Sequence, residues 1–236
     1  MQYTTKNKAY QISIHPLSRK LGKGHQVCVY KRNDKVYKIF RSELVTVPRK
    51  TSYDIAQVKL MEIETRFCKS VLDFLYNEKG IHKGYLAEYI EPTSPLLTFL
   101  SLKKDLLLEN MAGLFEDAYH IAVQNIYMKD LEWRNAIYHK GEKEGIYTID
   151  SGLFEYVMED SISQIYKQNC AHIVGLLRSV IEYSLLQKKY SQADTDLVDA
   201  YLWKMSHATE PFLNQLEKDM INTTTLEDWI KVKILK

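Results

Sequence analysis

The chain contains few cysteines, and none of them suggests a structural or metal-binding pair. Cys28, Cys68 and Cys170 are odd in number and lack metal or redox spacing. This pattern argues against a disulfide framework and favours a reducing compartment. The seven histidines form no HExxH or HxH cluster, so we expect no catalytic zinc site.

Long apolar runs are missing as well. No segment approaches the ~18 consecutive apolar residues of a membrane helix, and the opening MQYTTKNKAY lacks the apolar core of a signal peptide. We therefore expect no membrane association and a cytoplasmic location, and delivery into a host cell by a specialised secretion system stays compatible with the sequence. The net charge of +2 does not indicate a nucleic-acid partner, and the sequence does not specify an oligomeric state.

The patterns that are present change from strands to helices along the chain. Residues 10–40 contain β-rich runs, and Asn33 and Asp34 predict the turn of a hairpin between two of them. Apolar spacing predicts a helix over about 53–75, and GYLAEYI predicts a strand after it. Helices are predicted over about 96–120, 164–188, 194–207 and 210–221. Between the first two of them, NAIYH and GIYTID are predicted to form a hairpin. Thr225 is the predicted cap of a last helix.

Three short motifs in the first third of the chain suit phosphate binding. Gly22 and Gly24 in LGKGHQVCVY would let backbone amides approach a phosphate, although two such glycines also occur in ordinary turns. Lys38 in KVYKIF is a cation in an apolar strand, which indicates either a phosphate ligand or a lysine that extends to solvent. Glu64 would then hold this lysine, unless it is only a solvated carboxylate.

Two further motifs carry carboxylates and an amide. In YMKDLEWRNAIY, Asp130 could orient a substrate hydroxyl, and Asn135, five residues later, could bind a metal through its amide oxygen. In IDSG, Asp150 ends a strand just before a glycine, a setting that suits the hard ion Mg²⁺. Taken singly, each residue is equally compatible with a turn or a helix cap.

The five motifs occur in one order, and the whole set resembles the protein kinase superfamily. GKGHQVCV is similar to its glycine-rich loop, VYKIF to its lysine strand, YLAEYIE to the strand and hinge that grip adenine, MKDLEWRN to its catalytic loop and IDSG to its metal-binding motif. Glu64 resembles the helix glutamate that pairs with the lysine. The resemblance covers residues 21–152 and continues more loosely to the end of the chain.

This resemblance implies an α+β, bilobal fold with ATP and Mg²⁺ as cofactors. Residues 1–90 would form a small lobe with an antiparallel sheet and one main helix, and residues 91–236 a mostly helical lobe. Asp130, Lys38, Glu64 and Arg134 would be the catalytic residues, and Asn135 and Asp150 would bind Mg²⁺. The implied nucleotide-binding residues are Gly22, Gly24, Val29, Lys38, Glu88 and Ile90, the last two through their backbone.

The chain also departs from the family pattern. Met128 stands where the catalytic loop usually has histidine, and Ser151 replaces the usual phenylalanine. Glu132 replaces a lysine of many serine/threonine kinases, a charge that Arg134 would supply instead. No A-P-E motif follows Gly152, so regulation by phosphorylation of that segment is not expected.

The resemblance therefore predicts a kinase that transfers the γ-phosphoryl group of ATP to a protein hydroxyl, with serine or threonine favoured over tyrosine. The protein substrate is not identified by the sequence. Two alternatives remain: a kinase of a small molecule, and a pseudokinase or ATPase module that serves a complex.

Overall fold

The protein is described by a computed structural model and belongs to the α+β class. In the part of the chain that the structure describes, a seven-stranded antiparallel sheet is built largely from the earlier residues, and six α-helices come mostly from the later ones. None of the helices in the described part of the chain is both long and apolar enough to cross a membrane. The structure describes residues 2–5, 11–13, 19–23, 27–41, 50–69, 71–92, 96–140, 144–151, 153–207 and 211–235.

All neighbouring strands of the main sheet are antiparallel. The turn between the fourth and fifth strands is formed by Asn33, whose φ of 54° is left-handed, and Asp34, so this predicted hairpin is confirmed. The strands are β1 (Gln2–Thr5), β2 (Gln11–Ser13), β3 (Arg19–Lys23), β4 (Val27–Arg32), β5 (Lys35–Phe40), β6 (Val71–Asn77) and β7 (His82–Glu88). Their order across the sheet is β2-β1-β6-β7-β5-β4-β3.

One row of residues crosses four strands of the sheet. Gly22 is the Cα partner of Val29, Val29 of Lys38, and Lys38 of Tyr85. Residues directly opposite each other in antiparallel strands direct their side chains to the same face. Val29, Lys38 and Tyr85 therefore share one face of the sheet, and a side chain at position 22 would join them.

The predicted helix over 53–75 is wrong in its second half. Helix α1 (Lys50–Leu60) ends before Glu64, and Val71 already begins strand β6. Buried Asp117 explains the break, because its carboxylate accepts the backbone N–H groups of Arg66, Phe67 and residue 68, each at 2.7 Å. In a continuing helix these groups would donate to carbonyls four residues earlier.

The helical part follows the predicted order more closely. Its main core contains buried side chains from every long helix, and a short 3-10 helix (Leu96–Ser101) precedes the first of them. The helices are α2 (Lys104–Val123), α3 (Ile162–Gln187), α4 (Gln192–Ser206), α5 (Phe212–Asp219) and α6 (Leu226–Lys233), and Thr225 caps the last through the Asp228 N–H. Short strands complete the fold: β8 (Ile126–Tyr127) pairs with β11 (Glu155–Tyr156), and β9 (Ala136–His139) with β10 (Gly145–Thr148).

The ring of Phe67 packs between two glycines of the helical part. A Cβ atom on Gly113 would lie 2.5 Å from this ring, and one on Gly145 would lie 2.4 Å from it. The backbone on either side of the ring is bonded to β10, since Thr148 N–H donates to Phe67 O and Lys69 N–H donates to Thr148 O. The segment after α1 is thereby attached to the strand that leads to Asp150.

Candidate active site

Lys38 and Asp150 meet where the sheet faces the end of β10. The Lys38 Nζ donates to Ile149 O at 2.6 Å and lies 3.0 Å from Asp150 Oδ1. The lysine side chain is 12% exposed and the aspartate side chain 37% exposed. Two predicted site residues that are 112 positions apart in the sequence are therefore in direct contact.

Asp130 lies on a tight loop that Asn135 closes. The Asn135 amide Nδ2 donates to Asp130 Oδ2 at 2.8 Å and to Asp130 O at 2.9 Å. The backbone of Asp130 has a φ of 59°, in the left-handed region that non-glycine residues seldom adopt. Such conformations persist where neighbouring contacts enforce them, often in functional sites. Here both contacts come from the asparagine that the sequence pattern had paired with this aspartate.

The loop is also joined to the Asp150 segment. The Ile149 N–H donates to Asn135 O at 2.9 Å. Asn135, one predicted metal ligand, is therefore bonded to the residue that directly precedes Asp150, the other predicted ligand. Partial burial raises the pKa of Asp130, the bond from Asn135 lowers it, and the negative charges of Glu132 and Asp150 raise it further. The net effect is a raised pKa for Asp130, to which the negative charge of Asp150 contributes.

A fully buried amide on α3 supports the loop from behind. Asn169 Oδ1 accepts the N–H of Met128 at 2.8 Å, and its Nδ2 donates to Ile126 O at 3.0 Å and Ala118 O at 3.4 Å. Met128 is itself fully buried in the main core. A polar residue in the apolar face of α3 was the only sequence signal for this support.

The outer side of the loop carries aromatic and charged contacts. Trp133 stacks on Tyr183 of α3, with ring centroids 4.1 Å apart and planes 14° apart. The backbone N–H of Trp133 donates to Ser179 Oγ at 3.0 Å. Arg134 donates to both carboxylate oxygens of Glu132, at 2.7 and 2.9 Å. The predicted cation at position 134 is therefore present but compensated by the acid two residues earlier.

The glycine-rich segment is described only in part. Gly22 lies opposite Val29, and a Cβ atom at position 22 would meet no heavy atom within 4 Å. Open space above this backbone is what a bound phosphate would need. Gly24 and Gly152, which belong to the predicted motifs, lie outside the described residues.

The predicted adenine edge follows β7. Glu88 is exposed and lies 3.6 Å from the Lys69 ammonium, while Ile90 is half-buried against the main core. The Tyr89 N–H between them donates to Asp34 O at 2.9 Å, so this donor is already used within the protein. Contacts of the Glu88 and Ile90 backbone with adenine remain a prediction.

Glu64 does not occupy the predicted position on the helix. It is exposed and lines a surface groove with Arg66, Lys69 and His120. The acidic residue that α1 does carry is Asp54, which accepts a 3.4 Å hydrogen bond from the hydroxyl of Tyr85. Because Lys38 contacts Asp150 and Ile149 instead, its assignment to a helix glutamate is corrected.

Gln57 of α1 is a site residue that the sequence analysis missed. Its side chain is fully buried, Nε2 donates to Ser151 O at 2.6 Å, and Oε1 accepts from Ser151 Oγ at 3.0 Å. The helix therefore reaches the Asp150 segment through an amide and not through a carboxylate. No local pattern distinguishes this glutamine from a solvated one.

The donor atoms suit a hard cation bound together with a phosphate. No group of three or more histidine, cysteine, aspartate or glutamate side chains suited to a metal is found within the described ranges. Mg²⁺ in phosphate sites commonly takes only one or two carboxylates and completes its shell with phosphate oxygens and water. Asp150 with the amide oxygen of Asn135 fits that requirement.

Comparison with models of known protein families gives no match for this chain, and comparison with curated proteins gives none either.

Proposed function

We propose that this protein is an ATP- and Mg²⁺-dependent protein kinase. The observation that carries the proposal is the contact between Lys38 and Asp150 beside the loop closed by Asp130 and Asn135. In this proposal residues 1–90 and 91–236 act as two lobes with the nucleotide between them. The strand order around β5, with α1 inserted between β5 and β6, is compatible with such a lobe.

The nucleotide would lie on the sheet face that carries Val29 and Lys38. Lys38 can exchange its contact with Ile149 O for phosphate oxygens, since its ammonium has three donors. The backbone at Gly22 would cover the phosphates, and that of Glu88 and Ile90 would bind the adenine edge. Each of these residues projects from, or borders, the same sheet.

Asp150 and Asn135 would hold the Mg²⁺, which neutralises negative charge on the phosphates when it is bound. Asp130 would accept a hydrogen bond from the substrate hydroxyl and orient its oxygen in line with the γ-phosphorus. The closed loop serves this task because positioning contributes much of the rate in phosphoryl transfer. The raised pKa of Asp130 also makes it a better proton acceptor than an ordinary aspartate.

A protein substrate is favoured over a small molecule by the sequence. The catalytic loop carries Met128 and Lys129 where small-molecule kinases of this superfamily have an HGD-type loop. Serine or threonine is the favoured acceptor. Arg134, the feature shared with tyrosine kinases, is compensated by Glu132.

One observation favours a second candidate, a nucleotide-binding or ATPase module. The Lys38 ammonium contacts an Asp150 oxygen that a metal ion would need. Glu64, its expected partner on the helix, lies in a separate surface groove. A protein that keeps this arrangement when ATP binds would hold nucleotide without efficient transfer. Both candidates use the same residues, so an experiment on turnover separates them.

The test compares Asp130→Ala and Asp150→Ala with the exposed α4 variant Asp196→Ala as a control. Each protein is given labelled ATP with Mg²⁺, generic protein substrates and lysate, and ATP binding is measured by calorimetry. Asp130→Ala should bind ATP within several-fold of wild type and lose ~10²-fold or more in turnover, the range for a lost base. Asp150→Ala should lose both metal-dependent binding and turnover.

The position of the label identifies the activity. Label on protein supports the kinase, label on a small molecule supports the first alternative, and free phosphate alone supports the ATPase module. Transfer by Asp130→Ala at the wild-type rate would show that the 130–135 loop is not catalytic.

A further inference from the structure

A pair of reciprocal hydrogen bonds joins α1 to the residue after Asp150. Gln57 donates to Ser151 O and accepts from Ser151 Oγ, so both ends of one amide are used on a single residue. Gln57 is fully buried and Ser151 is 5% exposed. Water therefore competes little for these bonds, and unpairing either group would leave a buried polar atom without a partner.

This pair determines more than the local packing. Ser151 O also accepts the N–H of Phe154 at 3.0 Å, so its peptide group is held from two directions. Asp150 precedes it by one peptide unit, a Cα separation of about 3.8 Å. A rotation of the Ser151 peptide group moves the neighbouring Asp150 backbone, which carries the carboxylate that contacts Lys38.

We infer that Gln57 is a positioning residue for Asp150, acting through Ser151. The inference rests on the proposed function, because it assigns Gln57 a part in the metal-dependent step of the same site. The bond pair makes the location of α1 a determinant of where the Asp150 oxygens lie. A displacement of α1 from the sheet would break the pair and remove its restraint on the Asp150 carboxylate.

The test uses Gln57→Met, which keeps similar length and removes both hydrogen bonds. Asn110→Leu is the matched control, because Asn110 is a buried amide that accepts the Ile146 N–H of β10 and donates to Leu106 O within α2. Both variants should lose stability. Loss of the groups that orient a metal ligand typically costs about 10- to 100-fold in metal affinity or activity.

We expect Gln57→Met to raise the Mg²⁺ concentration for half-maximal turnover by about tenfold, with nucleotide binding in the absence of metal unchanged. Asn110→Leu should leave this concentration at the wild-type value. The double variant Gln57→Met/Ser151→Ala should regain part of the stability, since both side-chain partners are then apolar. Its Mg²⁺ requirement should stay high, because the positioning contact is still missing.

A second readout does not depend on activity. Amine-reactive labelling of Lys38, followed by mass spectrometry without nucleotide, reports whether Asp150 still covers the ammonium. Labelling should rise several-fold in Gln57→Met and stay at the wild-type level in Asn110→Leu. Unchanged labelling and an unchanged Mg²⁺ requirement in Gln57→Met would overturn the inference. A different outcome is increased labelling in Gln57→Met together with no Mg²⁺-dependent ATP binding by the wild type. That outcome would overturn the proposed function and leave the positioning role of Gln57 standing.

Discussion

The contact between Lys38 and Asp150 makes a prediction about metal binding without nucleotide. In the structure the ammonium lies 3.0 Å from Asp150 Oδ1, where it competes with any cation that approaches this oxygen. Lys38→Met removes the competitor and keeps an apolar stem of similar length. We therefore expect the variant to bind a divalent cation more tightly than the wild type when ATP is absent.

The magnitude follows from the distance between the charges. Coulomb's law gives about 1.4 kcal/mol at 3.0 Å in water and about 5.5 kcal/mol at an effective dielectric constant of about 20. Asp150 is 37% exposed, so the lower figure applies, and it corresponds to about tenfold in affinity.

The assay is a titration with Mn²⁺ followed by electron paramagnetic resonance. Lys35→Met is the matched control, because Lys35 lies on the same strand and its ammonium contacts Asp34 at 3.1 Å. The control should bind Mn²⁺ as the wild type does. With ATP present the effect should reverse, since Lys38 then contributes to phosphate binding. If Lys38→Met binds Mn²⁺ no better than wild type without ATP, the ammonium does not compete for the metal oxygen and the reasoning fails.

Three further predictions concern the scaffold. Gly145→Ala should lower the free energy of unfolding in urea by about 1–3 kcal/mol, because the new methyl group would overlap Phe67. The control Gly175→Ala should be neutral or stabilising, because its methyl group would meet nothing within 4 Å. Ser161→Ala removes the N-cap of α3 and should lower the stability by about 1 kcal/mol in thermal unfolding. Turnover well below the melting temperature should persist. Lost turnover in a folded variant would show that the segment after Gly152 is regulated. For Glu227, burial raises the pKa, but bonds from two lysines outweigh it and lower the pKa, so Glu227→Gln should be less stable than wild type at pH 7. That difference should fade as the pH falls through the lowered pKa of the wild-type carboxylate, below the usual range of a glutamate, and a constant difference down to pH 2 would contradict it.

The elements that sequence reasoning predicted correctly are those with local signals. The turn at Asn33 and Asp34 and the capped helix after Thr225 depend on residues close in sequence. The region over 61–75 was predicted wrongly because its apolar spacing matched a helix. Pairing with strands β1 and β7 and hydrogen bonds to the distant Asp117 decided its structure. Strand β1 is likewise set by its partner, since QYTT has no apolar alternation of its own.

The candidate site divides in the same way. Asp130 and Asn135 contact each other because five residues of one loop separate them, and such spacing is visible in the sequence. The helix partner was misassigned because the boundary of α1 was placed too late, which put Glu64 on a helix that had already ended. Gln57 contacts a residue 94 positions away, and only the assembled fold reveals it.

The buried amide of Asn169 has a consequence for the order in which the candidate site is assembled during synthesis. A growing chain contains Lys38, Asp130 and Asp150 well before the ribosome adds the residue that fixes the backbone at Met128. The sheet can form first, because protein domains fold largely from the N-terminal side as they emerge. The loop reaches its final shape only when α3 docks, so a partly made chain holds the reactive groups in an uncoupled state. Under the proposed function, phosphoryl transfer begins only after most of the helical part has been made.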